Sequence, residues 1–373
     1  MKKMVAIITV TMILSSILLS VSCSKKEEVI KIGAILPLTG EAGKYGQDAK
    51  MGMELALELI NKNSNDQKVK IVYEDDQSDA KKSVSSYKKL TSYDNVGMII
   101  GTMTSSSALA VSPLAEKDKV ILLSPSASTP LLTDAGDYIF RNELSDDFGG
   151  LIQAEMTIDS LNIFNVGILH INNDYGVGIM RSFEKTFKSL KGKITEIESY
   201  TTGENNFKPQ LSKLVLSKPE AIFLIAQKEY PQIIKQLKEI NSDIQIIATP
   251  VFEDNEIIKE LGSVANNIIY TYYGDFNKDK NEIIIEFEKA FANKFHKEPG
   301  YYSALSFDAV NILYEAVRRN RNNNIDEIKN KLYDISNYHG VTGTTTFDKN
   351  GDVRKAVTLK TVSNGEFIKW KKK

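Results

Sequence analysis

Short apolar runs rich in β-branched residues alternate with helical patterns from residue 29 onward, and this alternation constrains the fold more than any other feature of the chain. Strand, helix and strand in succession build parallel βαβ units, with helices on both faces of the sheet. Strands are expected at residues 29–36, 69–74, 96–101 and 120–124, separated by helices at 47–61, 80–91 and 105–117. After a loop around residues 142–147 the rhythm restarts with a helix at 150–160. Strands follow at 166–170, 194–200, 221–225, 244–249 and 268–273, with helices at 178–190, 206–215 and 230–240 among them. The tail reads as helices at 282–295, 303–319 and 325–335, then short strands at 344–347, 357–362 and 367–370.

The two rounds open alike. The strand beginning at Val29 is followed by Tyr45-Gly46 entering a helix, and the strand beginning at Val166 by Tyr175-Gly176 entering a helix. A chain of 373 residues is long for one hydrophobic core. The expected architecture is α/β: two doubly wound, Rossmann-like lobes facing each other across a cleft. Ligands of such sheets bind beyond the carboxyl ends of the strands, where loops run into helix N-termini.

Two loops sit at such ends. Thr104-Ser105-Ser106-Ser107 follows the strand ending at Gly101 and opens a helix. Unpaired amides there attract anions and the hydroxyls add donors, although the same serines also suit a plain N-cap. The neighbouring strand ends in residues 124–130 (SPSASTP), which bring Ser126, Ala127 and Ser128 alongside. Enzyme motifs fit poorly. Gly176-Val177-Gly178 hints at a dinucleotide fingerprint, but Arg181 occupies the third glycine position. There is no phosphate loop and no nucleophile elbow, and His170, His296 and His339 lack metal-ligand spacing. Asp348 to Asp352 starts like a calcium loop, but Leu359 stands at its twelfth position, and Asn350-Gly351 reads as a hairpin turn.

Five segments carry a resemblance: residues 32–46 (IGAILPLTGEAGKYG), 73–80 (YEDDQSDA), 100–107 (IGTMTSSS), 124–130 and 169–178 (LHINNDYGVG). They are similar to the type I periplasmic binding proteins of the branched-chain amino acid group, the receptors of ABC importers. The resemblance implies that Ser105 and Ser128 hold a ligand carboxylate while the Ser126 carbonyl accepts from an ammonium, with Thr104 and Ala127 in the same two loops. Tyr45 and Tyr175 match cleft-lining tyrosines. The second lobe is expected to add an aromatic and an acid. Gln227 stands near the aromatic position, and Glu253 is the nearest candidate for the acid. Thr104 stands where a cysteine often precedes the serine, so the family's first-lobe disulfide is missing.

The same resemblance implies lobes of residues 29–144 with 275–337 and of 145–274 with 338–373, crossing near 144, 274 and 338. It implies hinge closure over a branched-chain or other amino acid, ABC permease and ATPase partners, no cofactor and no enzymatic step. Alternatives are an amide or non-amino carboxylate as ligand, or a sensory subunit on the same fold. Nucleic acid is not an expected partner: 47 Lys and Arg against 48 Asp and Glu leave a net charge of −1 and no broad basic surface.

The leader completes the picture. Lys2 and Lys3 precede an apolar run, and Ser20-Val21-Ser22 places small residues before Cys23, the one cysteine in the chain. This resembles a bacterial lipobox, which implies a signal over residues 1–23, acylation of Cys23, a tether over 24–28 and an extracytoplasmic protein anchored to the membrane by lipid alone. Cleavage nearby with an incidental cysteine is the alternative.

Overall fold

The computed structural model describes residues 28–63, 67–274, 281–320 and 324–372; Cys23 and the leader lie outside them. The first lobe is built on five parallel strands: β1 (Glu28–Leu36), β2 (Gln67–Asp75), β3 (Met98–Gly101), β4 (Ile121–Ser124) and β5 (Ile139–Arg141). Their spatial order is β2-β1-β3-β4-β5. Helices α1 (Gly43–Asn63), α2 (Ala80–Ser92) and α3 (Ser105–Asp118) make the crossovers. Side chains alternate between two buried faces. Ile32, Ala34, Ile100 and Leu123 join one core cluster, while Ile35, Ile99 and Leu122 join the other. Runs apolar on both faces are what a parallel sheet covered on both sides requires.

The second lobe repeats the plan with α4 (Asp146–Asp159), β6 (Asn165–Ile171), α5 (Asp174–Ser189), β7 (Lys193–Tyr200), α6 (Lys208–Leu216), β8 (Ala221–Ile225), α7 (Tyr230–Ile240), β9 (Gln245–Ala248), α8 (Asn255–Leu261) and β10 (Ile269–Tyr273). The chain then returns to the first lobe. There α9 (Glu282–Phe295) clusters through Phe287 and Phe291 with Leu55 of α1, α10 (Tyr301–Arg318) and α11 (Ile325–Tyr333) cover the sheet, and β11 (Tyr338–Gly340) pairs with β12 (Gly343–Thr345). Finally β13 (Val357–Ser363) and β14 (Glu366–Lys369) add antiparallel to β10, giving the order β14-β13-β10-β9-β8-β6-β7. Among the described residues no helix is long and apolar enough to cross a membrane.

The repeated Tyr-Gly pair has a steric cause. A Cβ on Gly46 would lie 2.0 Å from the Pro37 carbonyl oxygen, and one on Gly176 would lie 2.0 Å from the Ile171 carbonyl oxygen. In both lobes the glycine lets the first helical turn rest directly on the end of the preceding strand, and the tyrosine before it is thereby held at the cleft.

The last crossing differs from the expected position at 338. Phe347 and Val353 belong to the first-lobe core, and Phe347 meets Phe140 edge-on at 5.3 Å. The turn between them binds itself through the Asp348 carboxylate, which accepts from the amides of Asn350 and Asp352. Residues 338–353 therefore pack with the first lobe, and the chain passes to the second only between Val353 and Val357. The strand β5 was not expected because three residues are too short for a periodic signal.

Alanine for glycine in a helix would by propensity alone stabilise by up to about 1 kcal/mol. At position 176 the clash decides the sign: Gly176→Ala is expected to cost about 1–3 kcal/mol, measured by urea unfolding.

Candidate functional site

The carboxyl ends of the two sheets face each other across a cavity of about 380 Å³. On the first-lobe side Ser105 opens α3, and no side chain caps that helix. Beside it the Thr104 hydroxyl is buried without a hydrogen-bond partner. The loop after β4 is folded on its own serines: Ser124 Oγ donates to the Thr102 carbonyl at 2.6 Å and accepts from the Ala127 amide at 3.0 Å. Ser126 Oγ donates to the Met103 carbonyl at 2.9 Å, so this hydroxyl is committed to the loop. The Ser128 carbonyl accepts from Arg141 Nη1 at 3.1 Å and from the Asp146 amide at 2.8 Å. Its hydroxyl lies beside the Asp146 carboxyl.

From the second lobe come Tyr175, Gln227 and Glu229. Tyr175 Oη meets Thr249 Oγ1 at 2.9 Å, which fixes its ring against the end of β9. Glu229 is buried; its Oε2 accepts from Tyr200 at 3.2 Å and its Oε1 has no partner. At the waist Glu143 is buried and accepts from Tyr301 Oη at 2.5 Å and from the Leu144 amide at 2.9 Å. Tyr45 and Tyr302 pair with ring centroids 4.9 Å apart. Around the rim the lobes touch through Lys44 with Asp254 at 2.6 Å and Glu256 at 2.7 Å, Lys228 with Glu41, and Ser106 with Asp174 at 2.5 Å.

This is an interlobe pocket with hydroxyls and a helix start on one wall and carboxyl groups on the other. Residues 29–366 match the family model described as "Periplasmic binding protein". The chain belongs to this family of binding proteins. It is an extracytoplasmic solute-binding protein of the ABC-importer kind, not an enzyme. It is 25% identical over 338 residues to the leucine-, isoleucine-, valine-, threonine- and alanine-binding protein of Pseudomonas aeruginosa, covering 89% of each chain. Its fold superposes with a TM-score of 0.86 on the leucine-binding protein LivK of Thermotoga maritima, at 26% identity over 92% of this chain and 98% of that one. The isoleucine complex of LivJ, a branched-chain amino acid transporter substrate-binding protein of Streptococcus pneumoniae, gives 0.84 at 28% identity over 91% and 98%.

Of the residues singled out in the sequence of this periplasmic binding protein, Tyr45, Thr104, Ser105, Ser126, Ser128, Tyr175 and Gln227 line the cavity. Two do not. Ala127 is buried in the first-lobe core, and it serves the loop through its amide. Glu253 faces a neighbouring cavity, where both its oxygens lie 2.5 Å from the fully buried Lys360 ammonium and Tyr270 donates to it at 2.7 Å. Its charge is already neutralised in place.

The acids that do line the cavity escaped sequence reading. Glu143 and Asp146 follow the unexpected strand β5, and Glu229 follows β8 only two residues beyond Gln227. The strand-end rule reaches Glu229, which follows an expected strand, but not Glu143 and Asp146, because the strand before them carries no periodic signal. Tyr301 and Tyr302 open α10, whose start was expected at residue 303.

Burial pushes the Glu143 carboxyl from an ordinary 4.5 up to about 7, with the Tyr301 hydroxyl working against the shift, and it pushes Asp146 well above the usual carboxylate range. A raised carboxyl pKa means that the folded state holds the proton while the unfolded chain has lost it. The associated stability is complete below about pH 4.5 and is lost as pH rises through about 7. In the ligand-free protein this amounts to about 3 kcal/mol, and Glu143→Gln is expected to flatten that decline in urea unfolding followed from pH 4.5 to 7.5.

Proposed function

We propose that this protein captures a free α-amino acid between its lobes and delivers it to an ABC permease and its ATPase. The observation that carries the reading is the pairing of an uncapped helix start bearing Ser105 with two buried, incompletely satisfied carboxyl groups, Asp146 and Glu229, around one interlobe cavity. A zwitterion has the matching pattern. Its carboxylate sits at the start of α3 on Ser105 and the unpartnered Thr104 hydroxyl, where the helix dipole and free amides favour negative charge. Its ammonium sits between the Ser126 carbonyl, Ser128 and Asp146. The names of the relatives, which specify amino acids, agree with this assignment. A carboxylate without an amine would leave the acids unanswered, and burying an unpaired charge is costly.

Closure follows from the same ledger of contacts. The first lobe offers a preformed serine surface, and the second lobe swings Tyr175, Gln227 and Glu229 over it about the crossings near 144, 274 and 354–356, a hinge motion. The rim pairs are largely exposed, and such pairs contribute only about 0–1 kcal/mol each. The ligand, bonded to both lobes, supplies the remainder. Micromolar affinity corresponds to about −8 kcal/mol, within reach of a few charge-assisted hydrogen bonds.

The experiment is isothermal titration calorimetry against amino acids, amides and simple carboxylates. An amino acid is expected to bind, and Ser105→Ala to weaken that binding by about 1–3 kcal/mol. Binding only by non-amino carboxylates would replace the proposal, and an unchanged affinity in the variant would remove Ser105 from the site.

We further propose that Cys23 is acylated, becomes the mature N-terminus and anchors the protein through the short tether to Glu28. Cys23→Ser is then expected to move the protein from the membrane fraction to the soluble fraction, and mass spectrometry of the wild-type N-terminal peptide should show the added acyl chains.

A further inference from the structure

A relay of hydroxyls runs behind the second-lobe wall of the cavity, and its direction follows from counting protons. The last residue pair between β8 and β9 is Leu224 with Ala248. Just there the Tyr230 hydroxyl inserts between the strands, donating to the Leu224 carbonyl at 3.0 Å and accepting from the Thr249 amide at 3.1 Å. An amide only donates and a carbonyl only accepts, so the single proton of Tyr230 is spent on Leu224. Thr249 Oγ1 stands 2.9 Å from the same hydroxyl and is then its donor. That spends the Thr249 proton. Tyr175 Oη, 2.9 Å from Thr249 Oγ1, must in turn donate to it. Reversing the relay would take the hydroxyl proton away from the Leu224 carbonyl, where Tyr230 is fully buried and Thr249 nearly so, and a buried polar group that loses its partner is costly. Of the three side chains Tyr175 alone lines the cavity, and it has only lone pairs left to offer there.

Tyr175 shares its stretch of wall with Asp146. Gly178 lies one turn further along α5, on the same helix face, and a Cβ there would come within 2.9 Å of Asp146 Oδ2. The field of Asp146 also reaches the Tyr175 hydroxyl. Burial holds the Asp146 carboxyl well above its usual range, so an ammonium placed here depends on neutral oxygens as well. The Ser126 carbonyl is one, and an acceptor-only Tyr175 is another. A hydroxyl free to turn would serve an ammonium and a carboxylate alike, whereas one whose proton is already spent discriminates between them.

We infer that Thr249 and Tyr230 are positioning residues that turn the Tyr175 proton away from the cavity, so that Tyr175 accepts a hydrogen bond from the ligand's α-ammonium and disfavours an anionic group in its place. The inference rests on the α-amino-acid reading above and extends the recognition of the amine to two residues behind the cavity wall.

The test is calorimetry of the purified protein with each standard amino acid, followed by titration of the tightest binder into Thr249→Val, Thr249→Ser and Tyr230→Phe, each with and without Tyr175→Phe. Thr249→Val keeps the shape but removes the acceptor for the Tyr175 proton, and it is expected to weaken binding about 10-fold or more, with Thr249→Ser restoring the affinity. Tyr230→Phe leaves Thr249 beside Tyr175 but frees the Thr249 proton to reverse the bond between them, and it is expected to weaken binding as well. In the Tyr175→Phe background neither change is expected to matter further, a coupling that a merely structural role would not produce. Unchanged affinity in Thr249→Val overturns the inference and leaves the amino-acid reading standing. Unchanged affinity in Tyr230→Phe does the same, because Thr249 then only holds the ring, and so does an undiminished loss in the Tyr175→Phe background. Binding by no amino acid overturns both readings. Should the buried variants fail to fold, Tyr175→Phe alone decides, since it removes only the acceptor: the same loss is expected, and an unchanged affinity overturns the inference.

Discussion

The Arg141 guanidinium is the interaction on which the binding surface depends. It is almost fully buried, and its nitrogens bond to Asp352 at 2.6 Å, to the carbonyls of Ser128 and Thr129 at 3.1 and 2.7 Å, and to Thr133 at 2.7 Å. A buried guanidinium is tolerable only when its donors are satisfied in good geometry, and here the partners come from two distant stretches of chain. One is the loop after β4, and the other is the Asp348–Asp352 turn. That turn can approach only because Gly351 adopts a φ of +74° and because a Cβ there would lie 2.2 Å from the Ile139 carbonyl oxygen. Arg141 thus turns the backbone of Ser128 inward, joins the first crossing to the last, and leaves the Ser128 hydroxyl toward the cavity side beside Asp146.

The waist concentrates a second group of charges. Asp308, in the middle of α10, accepts from the amides of Val341 and Thr342 and from the Thr342 hydroxyl, while Lys355 donates to that same hydroxyl at 2.6 Å. Burial raises the Asp308 carboxyl and pushes the Lys355 ammonium down to about 8. Glu143 stands within the field of Lys355, on the first crossing. The first and last crossings are therefore joined around Asp308 by charged and hydrogen-bonded side chains, and the second is tied to the last by the Gly274 amide donating to the Ala356 carbonyl at 2.7 Å, in contrast to the apolar cores of the lobes. Polar contacts are directional and can be exchanged without opening a hydrophobic core, which suits a segment about which lobes rotate.

Much of the fold was legible in the sequence because it is written in periodicity. Runs such as Ile99-Ile100 and Leu122-Leu123 are apolar on both faces, and the crossovers carry helical spacing, so the parallel doubly wound plan follows without tertiary information. The hairpin β11–β12 and the bridge between Phe347 and Val353 lie with the first lobe, where the resemblance implies the second. They are held there by Phe347 against Phe140 and by Asp308 accepting from the Val341 and Thr342 amides, and no local signal encodes such a choice. The first-lobe wall was readable for a related reason. Ser105, Ser126 and Ser128 lie where strand meets helix, in loops whose positions the strands dictate.

The acids of the second wall show where that logic stops. Glu253 and Glu229 both lie just beyond strand ends, on neighbouring strands, and spacing does not separate them. What separates them is the partner each meets. Lys360, on the antiparallel strand β13 more than a hundred residues away, reaches Glu253 and neutralises it, whereas one oxygen of Glu229 is left with nothing to accept from. A charge turned toward a ligand is distinguished from a structural one by whether the protein has already answered it, and that is a property of the three-dimensional neighbourhood. An unanswered buried carboxylate is costly to fold around. Its presence at the cavity wall, with no compensating cation bonded to that oxygen among the described residues, is the strongest physical reason to look for that cation on the ligand.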